Sequence, residues 1–200
     1  MRKEFGRVAF AFLIIGLMGS AALAGEPTEA IKKTTDKIIA IVTDPALKGP
    51  DKSEEKAKLI RQAVDERFDW EEMSRRTLAR HWQDRTDAQK KEFMELFAEL
   101  LEATYLDKVE GYSGEKVIYE GERSDGEYAV AAVKIVTQKE TEIPVKYRMK
   151  KIKNEWRVYD ISITGVSLIN NYRKQFNSII TRSSFDSLME KLEAKVKREE

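Results

Sequence analysis

The chain has 200 residues, 42% of them hydrophobic and 36% charged, which is enough apolar material for one sizeable core and requires no second domain. Its 36 Lys and Arg nearly cancel its 35 Asp and Glu, so no overall basic field selects nucleic acid. Having no cysteine excludes disulfides, thiolate nucleophiles and cysteine metal sites, and leaves the compartment open, because exported proteins need not carry disulfides.

The compartment is read at the N-terminus. Arg2, Lys3 and Arg7 precede an apolar run from Val8 to Met18 and the small-residue pattern Ala22-Leu23-Ala24, the layout of a bacterial secretory leader. The run is broken by Gly16 and is shorter than the ~20 residues that span a bilayer. Residues 1–24 are therefore expected to be a signal peptide cleaved after Ala24, and residues 25–200 a single soluble domain.

From Pro27 to Asp44, Ile31, Ile38, Ile39, Ile41 and Val42 mark one apolar side of a first helix. A second is expected from Asp51, with Leu59, Ile60, Ala63 and Val64 inward. Asp69, with Glu72 three residues on, resembles a capping box and opens a short third helix carrying Trp70, Met73, Thr77 and Leu78. Thr86 to Gln89 is a clearer capping box, at the head of the longest amphipathic run, with Phe93, Leu96, Phe97, Leu100, Leu101 and Tyr105 at helical spacing.

Gly111 to Gly114 then breaks the helical period. Four strands are expected, Val117–Glu122, Tyr128–Thr137, Glu142–Lys151 and one from Trp156 to Ile163, joined as an antiparallel meander. Ala129, Ala131, Val133 and Ile135 share one face of the second strand, and Ile143, Val145, Tyr147 and Met149 one face of the third. Pro144 lacks a backbone donor and points to an edge or a bulge. In the fourth strand Trp156 and Val158 fall on one parity and Tyr159, Ile161 and Ile163 on the other, which predicts a bulge near Val158. The chain is expected to turn at Gly165 directly into a helix reaching Arg182, with Val166, Ile169, Tyr172 and Phe176 on its apolar side. Ser183 or Ser184 caps a last helix with Phe185, Leu188, Met189 and Leu192 inward, and the tail KVKREE frays.

Chemical motifs are scarce. His81 is the only histidine, Gly165-Val-Ser167 is not a nucleophile elbow, and there is no Gly-rich phosphate loop. A Ser-His-Asp hydrolase would need His81 and Ser167 to meet through the fold alone. Glu54-Glu55 and Glu71-Glu72 sit on expected solvated helix faces. Asp160 is the one acid embedded in an apolar strand, and a paired structural role is expected for it, with Arg173 as partner or as a phosphate contact. The apolar inventory is generous by contrast. Val133, Ile135, Val145, Tyr147 and Met149 on the sheet, Phe97, Leu101 and Tyr105 on the long helix, and Val166, Ile169, Tyr172 and Phe176 on the next either fill an ordinary core or enclose a greasy space.

Several separated motifs carry a resemblance. The segment from Val158 to Phe176, with VYD, GVSL and NYRKQF, is similar to the C-terminal part of the MlaC-type periplasmic phospholipid-binding proteins, the toluene-tolerance family. FDWEEMSRRTLARHW from Phe68, FMELFAELLEATYLDKVEGYSGEKV from Phe93 and EIPVKYRM from Glu142 resemble it too, in the expected order. The resemblance implies an α+β domain, cystatin-like or NTF2-like in outline, in which a twisted sheet and its helices hold the acyl chains of a phospholipid and leave the head group near solvent. It implies a monomeric carrier without cofactor, metal or catalysis that shuttles lipid across the periplasm between an outer-membrane lipoprotein complex and an inner-membrane ABC transporter complex bearing an MCE-domain subunit, maintaining outer-membrane lipid asymmetry. With it, the lipid-binding candidates are Val133, Ile135, Val145, Tyr147, Val166, Ile169 and Phe176, with Phe97, Leu101 and Tyr105 on the opposite wall. An interaction module without ligand, and a hydrolase, stand as alternatives.

Overall fold

Residues 25–199 are described by the structure, a computed structural model; the expected leader, residues 1–24, lies outside them. Four helices come first: α1 (Glu26–Thr43), α2 (Ser53–Asp65), α3 (Trp70–Leu78) and α4 (Asp87–Glu110). The strands β1 (Lys116–Asp125), β2 (Tyr128–Val136), β3 (Glu142–Ile152), β4 (Glu155–Ile163) and β5 (Val166–Ser167) follow, and α5 (Leu168–Arg182) and α6 (Phe185–Glu199) close the chain. The α+β class holds, with one sheet in the order β1-β2-β3-β4-β5, every pair antiparallel.

Local chemistry sets most boundaries. At α4 both halves of the capping box form: Gln89 N–H donates to Thr86 Oγ1 (3.2 Å) and Thr86 N–H to Gln89 Oε1 (3.1 Å). At α3 only one half does, Glu72 N–H donating to Asp69 Oδ1 at 3.0 Å, because the Glu72 carboxylate is engaged elsewhere. The last helix starts on Ser184, whose Oγ accepts from Ser187 N–H at 3.0 Å, and it runs to Glu199, within the stretch expected to fray, where Val196 is buried.

The sheet departs from the expected four strands at one place. Thr164 (φ 47°) and Gly165 (φ 85°) form a two-residue turn of the kind that joins hairpin strands, so Val166 and Ser167 fold back on β4 before the helix begins at Leu168. The bulge near Val158 is present: Asp160 pairs with Arg148 and Val158 with Met149, leaving Tyr159 as the extra residue. One extra residue reverses parity, so Trp156, Val158, Ile161 and Ile163 all serve the face that carries Ala131, Val133 and Val145, while Asp160 points to the other side. Pro144 stands in an interior strand rather than an edge, at the point where β4 ends; Thr164, just past it, donates to the Pro144 carbonyl at 2.9 Å.

Two cores result. The helical one joins α3, α4, α5 and α6 through Met73, Leu78, Phe93, Phe97, Ile169, Tyr172, Phe176 and Leu188. The second lies under α1, where Ile31 packs on Ala129, Ala131, Val133, Met149, Trp156 and Val158. Phe68, in the α2–α3 link, touches both. Its neighbours are laid against β4, with Val158 N–H donating to the Arg67 carbonyl and Asp69 N–H to the Val158 carbonyl, each at 2.8 Å.

Candidate functional site

Between the two cores is a cavity of about 270 Å³. Its floor is the sheet face of Ile135, Val145, Tyr147, Ile161 and Ile163, presented by the alternation of β2 and β3 and by the parity change in β4. A stripe on α4, Ala98, Leu101, Tyr105, Leu106 and Val109, forms one wall at helical spacing. The α1–α2 hairpin covers it with Ile31, Thr34, Thr35, Ile38, Ile60 and Val64, and Phe68, Trp70 and Met73 close one end.

Polar groups are few and sit at the margins. Arg61 bridges α2 to α4 by donating to Glu102 (2.6 Å), and Lys56 reaches Glu110 (3.1 Å) along the same seam. Burial, with Tyr119 adding to it, pushes the Tyr147 hydroxyl up to about 12, and burial raises that of Tyr105 as well. The lining holds no nucleophile with an adjacent base, and among the described residues no cluster of three or more His, Cys, Asp or Glu is placed to bind a metal. What the space can do is take up apolar chain.

The ten sequence candidates divide evenly. Leu101, Tyr105, Ile135, Val145 and Tyr147 line the cavity. Phe97, Ile169 and Phe176 are in the helical core instead, Phe97 and Phe176 with their ring centroids 5.8 Å apart. Val133 is packed in the core under α1, and Val166 is 57% exposed because β5 takes it out of the helix. Ala129 and Ala131 leave no void; being small, they let α1 approach the sheet, with Ala131 fully buried against that core.

Other readings are corrected or filled in. Asp160 is buried and accepts from Ser167 Oγ (2.7 Å), Arg148 Nη1 (3.0 Å) and Ile169 N–H (3.2 Å), so it pins the start of α5 to the sheet. Arg173 is not its partner but donates to the Arg76 carbonyl at 2.7 Å. Glu72, expected on a solvated face, is buried and held by Arg75 and Arg76. His81 Nε2 lies 3.0 Å from Asn177 Oδ1, whereas Ser167 is spent on Asp160 and on capping α5. Asn177 and Ser167 are about 15 Å apart along the helix at 1.5 Å per residue, so no Ser-His pair forms. The wall that sequence reasoning missed is the α1–α2 hairpin. Its signal was an apolar side on α1 wider than one core needs, with Thr34 and Thr35 set into it.

Comparison with known proteins supports the same architecture. The sequence model of the MlaC protein family matches residues 32–194. The intermembrane phospholipid transport system binding protein MlaC of Haemophilus influenzae is 25% identical over 123 residues, an alignment covering 59% of this chain and 58% of that relative, less than two thirds of its length. In three dimensions the chain is similar to the phospholipid-binding protein from Ralstonia solanacearum, solved in complex with a phospholipid. The TM-score is 0.79 at 25% identity, covering 88% of this chain and 99% of that one. With the family match running from within α1 to within α6, this chain belongs to the MlaC protein family.

Proposed function

We propose that the chain is a soluble periplasmic phospholipid carrier, exported by a leader cleaved after Ala24 and acting without cofactor or catalysis between an inner-membrane ABC transporter complex with an MCE-domain subunit and an outer-membrane lipoprotein complex. The observation that carries this reading is the apolar cavity between sheet and helices in a chain whose structural relative holds a phospholipid. Energetics explains why such a protein needs nothing else. At roughly 0.8 kcal/mol per CH₂, two chains of about fifteen carbons cost on the order of 20 kcal/mol in water, so a carrier must hide them and leave the charged head group hydrated. A cavity of about 270 Å³ is small for that cargo, so loading displaces the α1–α2 hairpin that covers it.

The test is organic extraction and mass spectrometry of protein purified from a periplasmic fraction, with the intact mass reporting the start near Gly25. Phospholipid is expected in the parent and absent from Val145→Glu, which puts a charge on the cavity floor, circular dichroism confirming that the variant is folded. A folded parent that is empty after gentle purification sinks the carrier reading in favour of an interaction module. Equal lipid in parent and folded variant sinks the cavity assignment.

A further inference from the structure

Arg67 occupies an unusual position. It lines the apolar cavity and also a separate outer recess of about 240 Å³ between α1, the end of α2 and the start of β4. Its backbone is fixed, because its carbonyl accepts from Val158 N–H at the bulge of β4. Its guanidinium is half-buried: Nε donates to Thr34 Oγ1 (3.1 Å) and Nη1 to the Trp156 carbonyl (2.5 Å). Among the described residues Nη2 has no hydrogen-bond partner, and no carboxylate stands within ion-pair distance of the group.

The recess has an excess of positive charge at short range. Lys33, Lys37, Arg67 and Arg157 line it against Glu66 and Glu155. Both carboxylates are already taken, Glu66 by Lys37 at 2.7 Å and Glu155 by Arg157 at 2.8 Å. No carboxylate among the described residues is within ion-pair distance of Arg67 or of the exposed Lys33; Glu66 and Glu155 act on Arg67, and Glu66 on Lys33, only at longer range. The planar arginine fork suits phosphate, and here the described residues leave Nη2 unused. Burial and the neighbouring Arg157 charge push the Arg67 pKa down, and Glu155 and Glu66, which act the other way, do not offset them.

We propose that this recess is the phosphate site for the cargo: the head-group phosphate docks on Arg67, with Lys33 as a second contact, while the acyl chains enter the cavity on the other side of the same residue. The proposal rests on the phospholipid reading above. It makes Arg67 the residue that distinguishes a phospholipid from a neutral diacylglycerol with the same chains.

The experiment loads parent, Arg67→Gln, Arg67→Lys and Lys33→Gln from detergent micelles carrying either phosphatidylglycerol or diacylglycerol of identical chains. Native mass spectrometry reads the bound fraction. The parent is expected to hold phosphatidylglycerol in preference to diacylglycerol. Arg67→Gln should lower the ratio of phosphatidylglycerol to diacylglycerol bound by about tenfold or more, the scale of hydrogen bonds to a charged group. Arg67→Lys falls between, and Lys33→Gln, which alters only an exposed side chain and keeps the test alive if position 67 affects folding, weakens phosphatidylglycerol by about two- to fivefold. Phosphatidylglycerol retained equally by the parent and the folded variants overturns the phosphate site and spares the carrier. A parent that takes up neither lipid overturns the carrier reading itself. Titration with inorganic phosphate separates the sources: Arg67-dependent binding of free phosphate that does not compete with phosphatidylglycerol also overturns the assignment, because the recess is then an anion site unrelated to cargo.

Discussion

The helical core and the cavity are built from comparable apolar stock, yet one is filled and the other is not. On the helical side long aromatic side chains interlock: Phe97 meets Tyr172 at 5.4 Å and Phe176 at 5.8 Å edge-on, and Phe93 meets Phe176 at 5.9 Å. On the cavity side the floor is mostly short, Ile135, Val145, Ile161 and Ile163, and the hairpin above it is held at its rim. Thr28 N–H donates to Glu122 (2.7 Å), Lys151 meets Glu26 (2.8 Å), and two ion pairs tie α2 to α4. Polar attachments at the periphery fix the height of a helical layer that short side chains beneath it cannot reach across. Space is made by the mismatch between rim and floor, with no special residue required.

Truncation separates the two regions most sharply. Phe97→Ala removes a ring with no exposure to solvent, and the interlocked neighbours cannot all collapse into the gap, so a loss of about 3–5 kcal/mol is expected in urea unfolding. Ile161→Ala removes atoms that already border a void, so less packing is lost and the cost should not exceed about 2 kcal/mol. Equal losses would mean that the cavity is as tightly filled as the helical core.

That contrast is also where the sequence stopped being informative. The capping box at Thr86, the helical spacing of Phe93 to Tyr105, the meander and the bulge near Val158 are local patterns, and all are found. Alternation in β2 and β3 identified the apolar face. It says nothing about how far away the opposite layer stands: Phe97 and Leu101, four residues apart on one stripe, both belong to the helical core, yet only Leu101 also borders the cavity. The role of α1 and α2 as a cover is a tertiary fact with only a weak local trace. The fifth strand went unread because two residues carry no periodicity, and because only Gly165 of the turn is a residue that favours positive φ; Thr164 is β-branched and gave no turn signal.

Acid should weaken the helical side through Glu72. Its burial works to raise its pKa, but hydrogen bonds and charge from Arg75 and Arg76 outweigh this, and the net shift is downward from 4.5. A carboxyl lowered in the folded state stabilises fully above its unfolded value and loses that contribution as pH falls through the folded one. Glu72→Gln should therefore cost on the order of 1–3 kcal/mol at pH 7 and make stability fall less steeply below pH ~4.5 than in the parent. Glu26, Glu66 and Glu115 are lowered too but lie at the surface, and they are common to both proteins. Melting curves of the two that stay parallel from neutral pH to pH ~3 would remove Glu72 from the account.

The smallest effect tests the void itself. Ala98 and Ala131 are both buried alanines facing the middle of the molecule, but Ala98 borders the cavity from α4 whereas Ala131 lies against Ile31 under α1. Enlarging Ala131 to leucine forces α1 off the sheet, and overpacking of that kind costs about 1–3 kcal/mol. The same change at Ala98 extends into open space, where new apolar burial, at about 0.8 kcal/mol per CH₂, offsets any readjustment. Ala98→Leu is thus expected to melt within a few degrees of the parent and yet retain less phospholipid, because it occupies volume the chains need. Ala131→Leu should melt well below both. If the two substitutions destabilise alike, the space beside α4 is not there to be filled, and the distinction between a packed core and an open one fails at the point where it bears most directly on carriage.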